Sequence, residues 1–301
     1  MLEYATGVID VLEKNVFDKQ DQERMISASK REDAFKVLFD TDLAEFASKE
    51  EKIEAILEQD LLKLKKVLFE MLKDVNIELF YFLFLKFDAL NLKIILKNKN
   101  DLSFASSIVP FDKLKLYLEN KVDIQNDYVK NMIDQSLTKG FIEENVDKAY
   151  FKTKLCLAKR IKGLALEITR FEIDVLNLKN LIKEKRGFLR GGNLSRNDLL
   201  KALGRKKGMI SRGLERFLET FDLSILIEQF EKNQSEIELE KGLERFLAEK
   251  TIQREREGGG IEKVMGYFFK KTNAHSNIRL IFFQKEADIP TQEIKANLLP
   301  I

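Results

Sequence analysis

The sequence contains very little cysteine, histidine and tryptophan. Its 301 residues include one cysteine, Cys156, one histidine, His275, and no tryptophan. A single cysteine cannot form an internal disulfide or a cysteine-based metal cluster, and a lone histidine does not make a metal site or a catalytic triad. We therefore expect no metal and no cofactor. We expect His275 at the surface or at a helix cap, and Cys156 buried as a small hydrophobe.

Proline is also scarce, with three residues: Pro110, Pro290 and Pro300. Abundant Leu, Lys and Glu without alternating Val/Thr runs favour long helices, so the predicted fold class is all-α. The longest apolar run, LFYFLFL at 79–85, is too short to cross a bilayer and is typical of a buried helix. The N-terminus has no pattern of a secretion signal, so we expect a soluble protein in a reducing compartment.

Charge is divided unevenly along the chain. Residues 1–150 carry 22 Lys/Arg against 29 Asp/Glu, a balance of −7, and residues 151–301 carry 30 against 21, a balance of +9. Such an acidic first half and basic second half suit contacts with more than one partner surface.

Several helix boundaries can be predicted. Ser29, Ser48 and Ser235 each precede an acid by three residues, which is the capping-box pattern. Pro110 is predicted in the first turn of the next helix. The stretch 143–186 lacks proline and predicts one very long helix, or two with little break between them.

A hexapeptide occurs twice in the sequence, and a weaker third copy follows. Asp-x-Leu-Asn-Leu-Lys runs from Asp88 to Lys93 and again from Asp174 to Lys179. The third copy centres on Asn277 and has Ala274 in place of the acid. The three asparagines are separated by 177 − 91 = 86 and 277 − 177 = 100 residues. The copies indicate three sub-structures of similar build.

On a helix, the Asp and the Asn three residues later share a face and can hydrogen-bond a neighbouring helix or exposed backbone groups. We interpret the motif as structural, fixing how helices register. A carboxylate site for a metal or for acid catalysis is disfavoured, because each copy offers one acid and the third offers none. The residues assigned to this motif are Asp88, Asn91, Lys93, Asp174, Asn177, Lys179, Asn277 and Arg279.

The order of these segments resembles the C-type subunit of V-type and archaeal A-type ATPases (ATP synthases), whose eukaryotic V-ATPase homologue is the d-type subunit. The resemblance covers nearly the whole chain. It includes a first helix led by Tyr4, a helix over 29–38, VDKAYF at 146–151, the three motif copies, IEKVMGYF at 261–268 and the ADIP link at 287–290.

The resemblance implies a non-catalytic, all-α rotor subunit of the central stalk, with three pseudo-repeated lobes of about 1–105, 106–190 and 191–301 forming a funnel around a pseudo-threefold axis. The implied partners are the central-shaft subunits and the membrane proteolipid ring. One copy per complex would lie peripherally on the cytoplasmic face, without a transmembrane segment, and would serve ATP-linked proton or sodium transport.

A second hypothesis rests on the basic stretch 183–212, whose charges could bind nucleic-acid phosphates in an all-α nucleic-acid-binding or scaffold protein. With Phe188 as its one aromatic residue, this stretch lacks a stacking platform for bases. A solvated helix face, or a contact with an acidic protein or with lipid headgroups, is therefore favoured over nucleic acid. A helical hydrolase is a third class, for which we expect no turnover. The candidate patch comprises Lys183, Lys185, Arg186, Arg190, Arg196, Arg205, Lys206, Lys207 and Arg212.

Overall fold

The computed structural model describes residues 2–50, 52–99, 103–138, 140–182, 188–197, 235–287 and 289–301. This part of the chain is α-helical and contains no strand, which confirms the all-α class. Two short 3₁₀ segments, Glu13–Asn15 and Val37–Asp40, join helices near the N-terminus. The α-helices are α1 Leu2–Leu12, α2 Lys19–Ser27, α3 Arg31–Lys36, α4 Ala44–Ala47, α5 Ile53–Leu72, α6 Ile77–Leu96, α7 Phe111–Leu118, α8 Asp127–Leu137, α9 Glu143–Ile161, α10 Gly163–Ile182, α11 Glu236–Glu257, α12 Ile261–Glu286 and α13 Thr291–Ala296.

The helix caps differ from those predicted. Side chains of Asp18, Asn76 and Asn126 accept backbone N–H bonds at the starts of α2, α6 and α8. The prediction for Ser48 is wrong, because its hydroxyl donates to the carbonyl of Glu45 at 3.0 Å and so closes α4 rather than opening α5. Ser235 directly precedes α11, as predicted.

Two other predicted starts are displaced by one residue. Ser29 does not cap α3, whose N-cap is Lys30 with no side-chain bond to the helix. Pro110 is the N-cap of α7 rather than a residue of its first turn. In both cases the amino-acid pattern located the helix but not its first residue, since boundary geometry depends on the segment that leads in.

The long proline-free stretch forms two helices. α9 ends at Ile161 and α10 begins at Gly163, with Lys162 between them at φ 67° and ψ −161°. Residues other than glycine rarely adopt this backbone conformation. α9 packs against α6, α8 and α10, so the break lets the chain reverse onto its own bundle.

Two clusters of buried apolar side chains are found in the described part of the chain. The larger one gathers α1, α6, α8, α9, the first half of α10 and halves of α5 and α12. The apolar run 79–85 lies in it and is buried except for the partly exposed Tyr81, as predicted. The smaller cluster joins α2, α3 and α13 to the other halves of α5 and α12. α5 and α12 therefore cross from one cluster to the other, and both carry polar residues at the crossing.

Replacing Lys162 by glycine should stabilise the protein. Relief of the strained backbone at φ 67° outweighs the added freedom of the unfolded chain, for a gain of about 1 kcal/mol in unfolding free energy. Urea denaturation measures the change.

Lys159→Gly is the matched control, since Lys159 is an exposed lysine in the last turn of α9. It removes the same charge from a regular helix and should cost about 0.5–1 kcal/mol. Two substitutions with effects of the same sign would contradict strain at Lys162.

Candidate functional site

The first motif copy holds a non-helical segment onto α6. Asn91 Nδ2 donates to the carbonyl of Phe104 at 3.0 Å, and its Oδ1 accepts the Phe104 N–H at 2.8 Å. Asp88 accepts the N–H groups of Ile108 at 2.8 Å and Val109 at 2.9 Å. Asp88 and Asn91 are both fully buried. The pair thus bonds four backbone groups, of which the Phe104 carbonyl also accepts the Ser107 N–H at 3.2 Å.

The second copy repeats this geometry on α10. Asn177 makes the same paired bonds with Leu189, at 2.8 Å to its carbonyl and 2.7 Å from its N–H. Asp174 accepts the N–H groups of Asn193 and Leu194 at 2.8 and 3.1 Å. In both copies the carboxylate binds the fourth and fifth residues after the one held by the asparagine. We call this Asp/Asn arrangement the backbone clamp.

A glycine lets the second clamp close. A Cβ atom at Gly192 would overlap the carboxylate of Asp174, so this position excludes every larger residue unless the clamp shifts. Gly192 of RGGN, which the sequence indicates only as a loop, is therefore explained by the close approach of backbone to a buried acid. Gly191 has φ 111°, and a Cβ atom there would overlap the side chain of Leu155.

The third copy keeps the asparagine and replaces the acid. Asn277 makes the paired bonds with Leu299, both at 2.8 Å. Its Nδ2 also donates to Oε1 of Gln22 on α2 at 2.8 Å. Ala274, at the acid's position, is buried in the smaller apolar cluster. In this copy the asparagine also bonds α2, and the acid of the other two copies is replaced by Ala274.

The basic residues that follow each asparagine connect separate helices. Lys93 pairs with Asp147 of α9 at 2.5 Å, and Arg279 Nε donates to Glu54 of α5 at 2.8 Å. The side chain of Lys179 lies outside the described residues. That the motif sets helix register stays a prediction, whereas the backbone bonds are a feature of the structure.

Burial makes the clamp acids hard to ionise. Desolvation raises the pKa of Asp88 to about 7 and that of Asp174 to about 6, although the backbone N–H bonds act in the opposite direction. The ammonium group of Lys65, which donates to the Ser107 carbonyl, also favours the charged form of Asp88.

A buried charged cluster lies where α5 and α12 cross between the two apolar clusters. Lys271 Nζ is 2.6 Å from both Asp42 and Asp60, and His275 Nε2 is 2.6 Å from Asp60 Oδ2. The prediction that His275 is a surface or capping residue is therefore wrong. Its helical neighbours gave no sign of Asp60, which is 215 residues away in the chain.

Lys271 is the central charge of this cluster. Burial alone would raise the pKa of Asp60, but Lys271 and His275 together lower it. Burial likewise opposes charge on Lys271, yet the two carboxylates raise its pKa. Desolvation lowers the pKa of His275, so the ring is neutral and its Nε2–H donates to the ionised Asp60. Desolvation raises the pKa of Asp42, whose Oδ1 is buried and has no partner in the described structure.

The remaining predicted residues are scattered or unplaced. Of the basic patch, Arg190 and Arg196 are described and exposed. Seven members lie outside the described residues: Lys183, Lys185, Arg186, Arg205, Lys206, Lys207 and Arg212. Cys156 is exposed, contrary to the prediction, because it points away from the face of α9 that buries Leu155 and Leu157.

Within the described ranges, no three His, Cys, Asp or Glu side chains are grouped to hold a metal ion. No helix in these ranges is long and apolar enough to cross a membrane. A cavity of about 640 Å³ opens between α5, α6, α11 and α12 and is lined by Phe104 and Leu299, the backbone partners of two clamps. The described structure thus contains backbone clamps on long helices and a cavity between four of its helices.

Removing one clamp amide should destabilise the fold. Asn177→Leu keeps the side-chain volume but leaves the N–H and carbonyl of Leu189 without partners, at a cost of about 1–3 kcal/mol. Thermal and urea denaturation measure the loss. Asn131→Leu, at an exposed site on α8, is the control and should change stability by no more than about 0.5 kcal/mol. Equal effects of the two substitutions would argue against the clamp.

Asp88 should make stability depend on pH. Its pKa of about 7 in the folded protein exceeds the ordinary value of ~3.9, so the folded state binds the additional proton between these values. The stability that this proton supplies is complete below about pH 4 and is lost as the pH rises through about 7. Relative to Asp88→Asn, the unfolding free energy of the natural protein should fall across this range, by at most ~1.4 kcal/mol per pH unit.

Urea titrations at several pH values between these limits test this pH dependence. Asp74→Asn, which changes an exposed carboxyl after α5, serves as the control for a general effect of removing one acid. A stability difference between the natural protein and Asp88→Asn that did not vary with pH would refute a costly buried charge at this position.

Comparison with known proteins agrees with the architecture. A family model described as ATP synthase (C/AC39) subunit matches residues 5–297. No curated protein matches the chain. The family match spans all three motif copies and confirms the resemblance drawn from their order. This chain belongs to the ATP synthase (C/AC39) subunit family.

Proposed function

We propose that this chain is a non-catalytic central-stalk subunit that couples the rotating shaft of a V/A-type rotary ATPase to its membrane proteolipid ring during ATP-linked proton or sodium transport. The observation that carries the proposal is the family match over residues 5–297. On this proposal one copy per complex lies peripherally on the cytoplasmic face of the membrane.

The internal repetition supports a part built to transmit force. Asn91, Asn177 and Asn277 each bond one backbone segment to a long helix with the same pair of hydrogen bonds. We retain three pseudo-repeats of about 1–105, 106–190 and 191–301, arranged as a funnel, as part of the proposal. The hydrogen bonds that join non-helical segments to helices limit the independent movement of those segments. This suits a subunit that transmits torque rather than one that closes on a substrate.

The positive charge beside the second clamp supports contact with acidic surfaces of partner subunits. Arg190 and Arg196 flank the second clamp, and both side chains are exposed. They belong to the half of the chain that carries a balance of +9. We place a partner contact at this end of the clamp, with the arginines pairing with acids of the shaft or ring.

Co-purification from the native membrane tests membership and position together. A tagged chain should bring down shaft and proteolipid subunits, and the isolated chain should not hydrolyse ATP. Removal of the chain should leave ATP hydrolysis by the catalytic head while abolishing the linked ion transport.

Charge reversal provides the matched comparison. Arg190→Glu with Arg196→Glu should reduce recovery of the partners, whereas Lys159→Glu with Lys162→Glu, two exposed sites at the end of α9, should not. Recovery of no rotary-ATPase subunit would overturn the proposal. Tight, salt-sensitive binding of RNA or DNA that Arg190→Glu with Arg196→Glu abolishes would instead support the nucleic-acid hypothesis.

A further inference from the structure

Lys86 is partly buried and has no acidic partner among the described residues. It lies on α6, and its Nζ is 5.0 Å from the ring centroid of Phe87 and 5.2 Å from that of Phe268. Within the described structure, no carboxylate lies within ion-pair distance of it, and the aromatic faces are its close electrostatic contacts. Its side chain is partly exposed and lines the 640 Å³ cavity.

The neighbouring buried lysine shows the contrast. Lys154 lies 2.5 Å from Glu172 and also contacts the rings of Phe82 and Tyr150. The charge of Lys154 is therefore compensated, and loss of that charge would leave Glu172 unpaired. Loss of the charge on Lys86 would leave no buried acid without its partner.

The other charged and titratable groups that line the cavity have their own contacts. Glu54 pairs with Arg279 at 2.8 Å, Glu58 accepts the N–H of Ala105 at 3.4 Å, and His275 is bonded to Asp60. Glu244, on α11, also makes an interaction of its own. Lys154 adds repulsion to Lys86, and Glu172 partly offsets it.

From this geometry we propose that Lys86 is a site of acylation by small acyl thioesters or acyl phosphates that enter the cavity. The lone pair of Nζ attacks the carbonyl carbon of the donor and forms a C–N bond. The C–S or C–O bond to the leaving group breaks, the thiolate or phosphate departs with the bonding electrons, and the amine proton passes to water. The product is a neutral amide in a site where the described residues provide no counter-ion for an ammonium group.

The protonation state of the amine is consistent with this chemistry. Burial, with repulsion from Lys154, lowers the pKa of Lys86 to about 8. About half of the amine is then neutral near pH 8, against well under one in a hundred for an ordinary lysine with a pKa of ~10.4. Desolvated lysines of this kind are the nucleophilic ones.

Competitive trace labelling of the full chain with acetyl phosphate tests the proposal, with each lysine quantified by mass spectrometry. Lys66, exposed on α5, is the control for full access, and Lys154 is the control for burial with a partner. Near pH 8, Lys86 should react about tenfold faster than Lys66, and its rate should level off at lower pH than that of Lys66. Labelling of Lys86 that is no faster than that of Lys66 at every pH, or as slow as that of Lys154, would overturn the proposal.

A stability measurement provides an independent readout. Lys86→Gln, which resembles the acylated state, should melt at or above the temperature of the natural protein because no acid loses its partner. Lys154→Gln should melt below it, since Glu172, which is partly buried, then loses its cation. A loss of stability in Lys86→Gln as large as that in Lys154→Gln would show that the positive charge is required, and would overturn the assignment.

Discussion

The structure depends on paired hydrogen bonds between a buried asparagine amide and one backbone residue. Each long helix of the repeat is bonded by a non-helical segment from further along the chain, and buried backbone groups must find partners. Asn91, Asn177 and Asn277 supply one donor and one acceptor each, which match the carbonyl and N–H of a single residue. Apolar packing could not supply this match, because it is not directional.

The buried charged cluster meets a second constraint. α5 and α12 are long enough to serve two apolar clusters, and the interior changes from one to the other near Asp60 and Lys271. Their ion pair, with His275 and Asp42, fixes the two helices at that level. Breaking one member of such a buried set costs more than the set contributes, because the remaining charge has no water around it. The cluster thus favours a single alignment of α5 and α12.

These two kinds of contact are consistent with the proposed function, in which the chain transmits force between partners. The clamps fasten non-helical segments to helices, and Lys93 and Arg279 join those helices to others through Asp147 and Glu54. Lys86 differs from them, because it lines a cavity and has no partner of opposite charge in the part of the chain that the structure describes. Chemical modification is tolerated at a position where removal of the charge leaves no acid without its ion-pair partner.

The sequence by itself determined the helical class, the buried run at 79–85 and the repeated Asp/Asn pair, because helix periodicity and local spacing are written in neighbouring residues. It identified the chain's family through the order of those segments. The tertiary structure decided which backbone groups each Asp/Asn pair bonds. It also decided that His275 is buried and that Cys156 is exposed. Phe104, Leu189 and Leu299 are held through their backbones, which leave no mark in residue type. Asp60 and His275 meet across 215 positions, a distance that no local pattern spans.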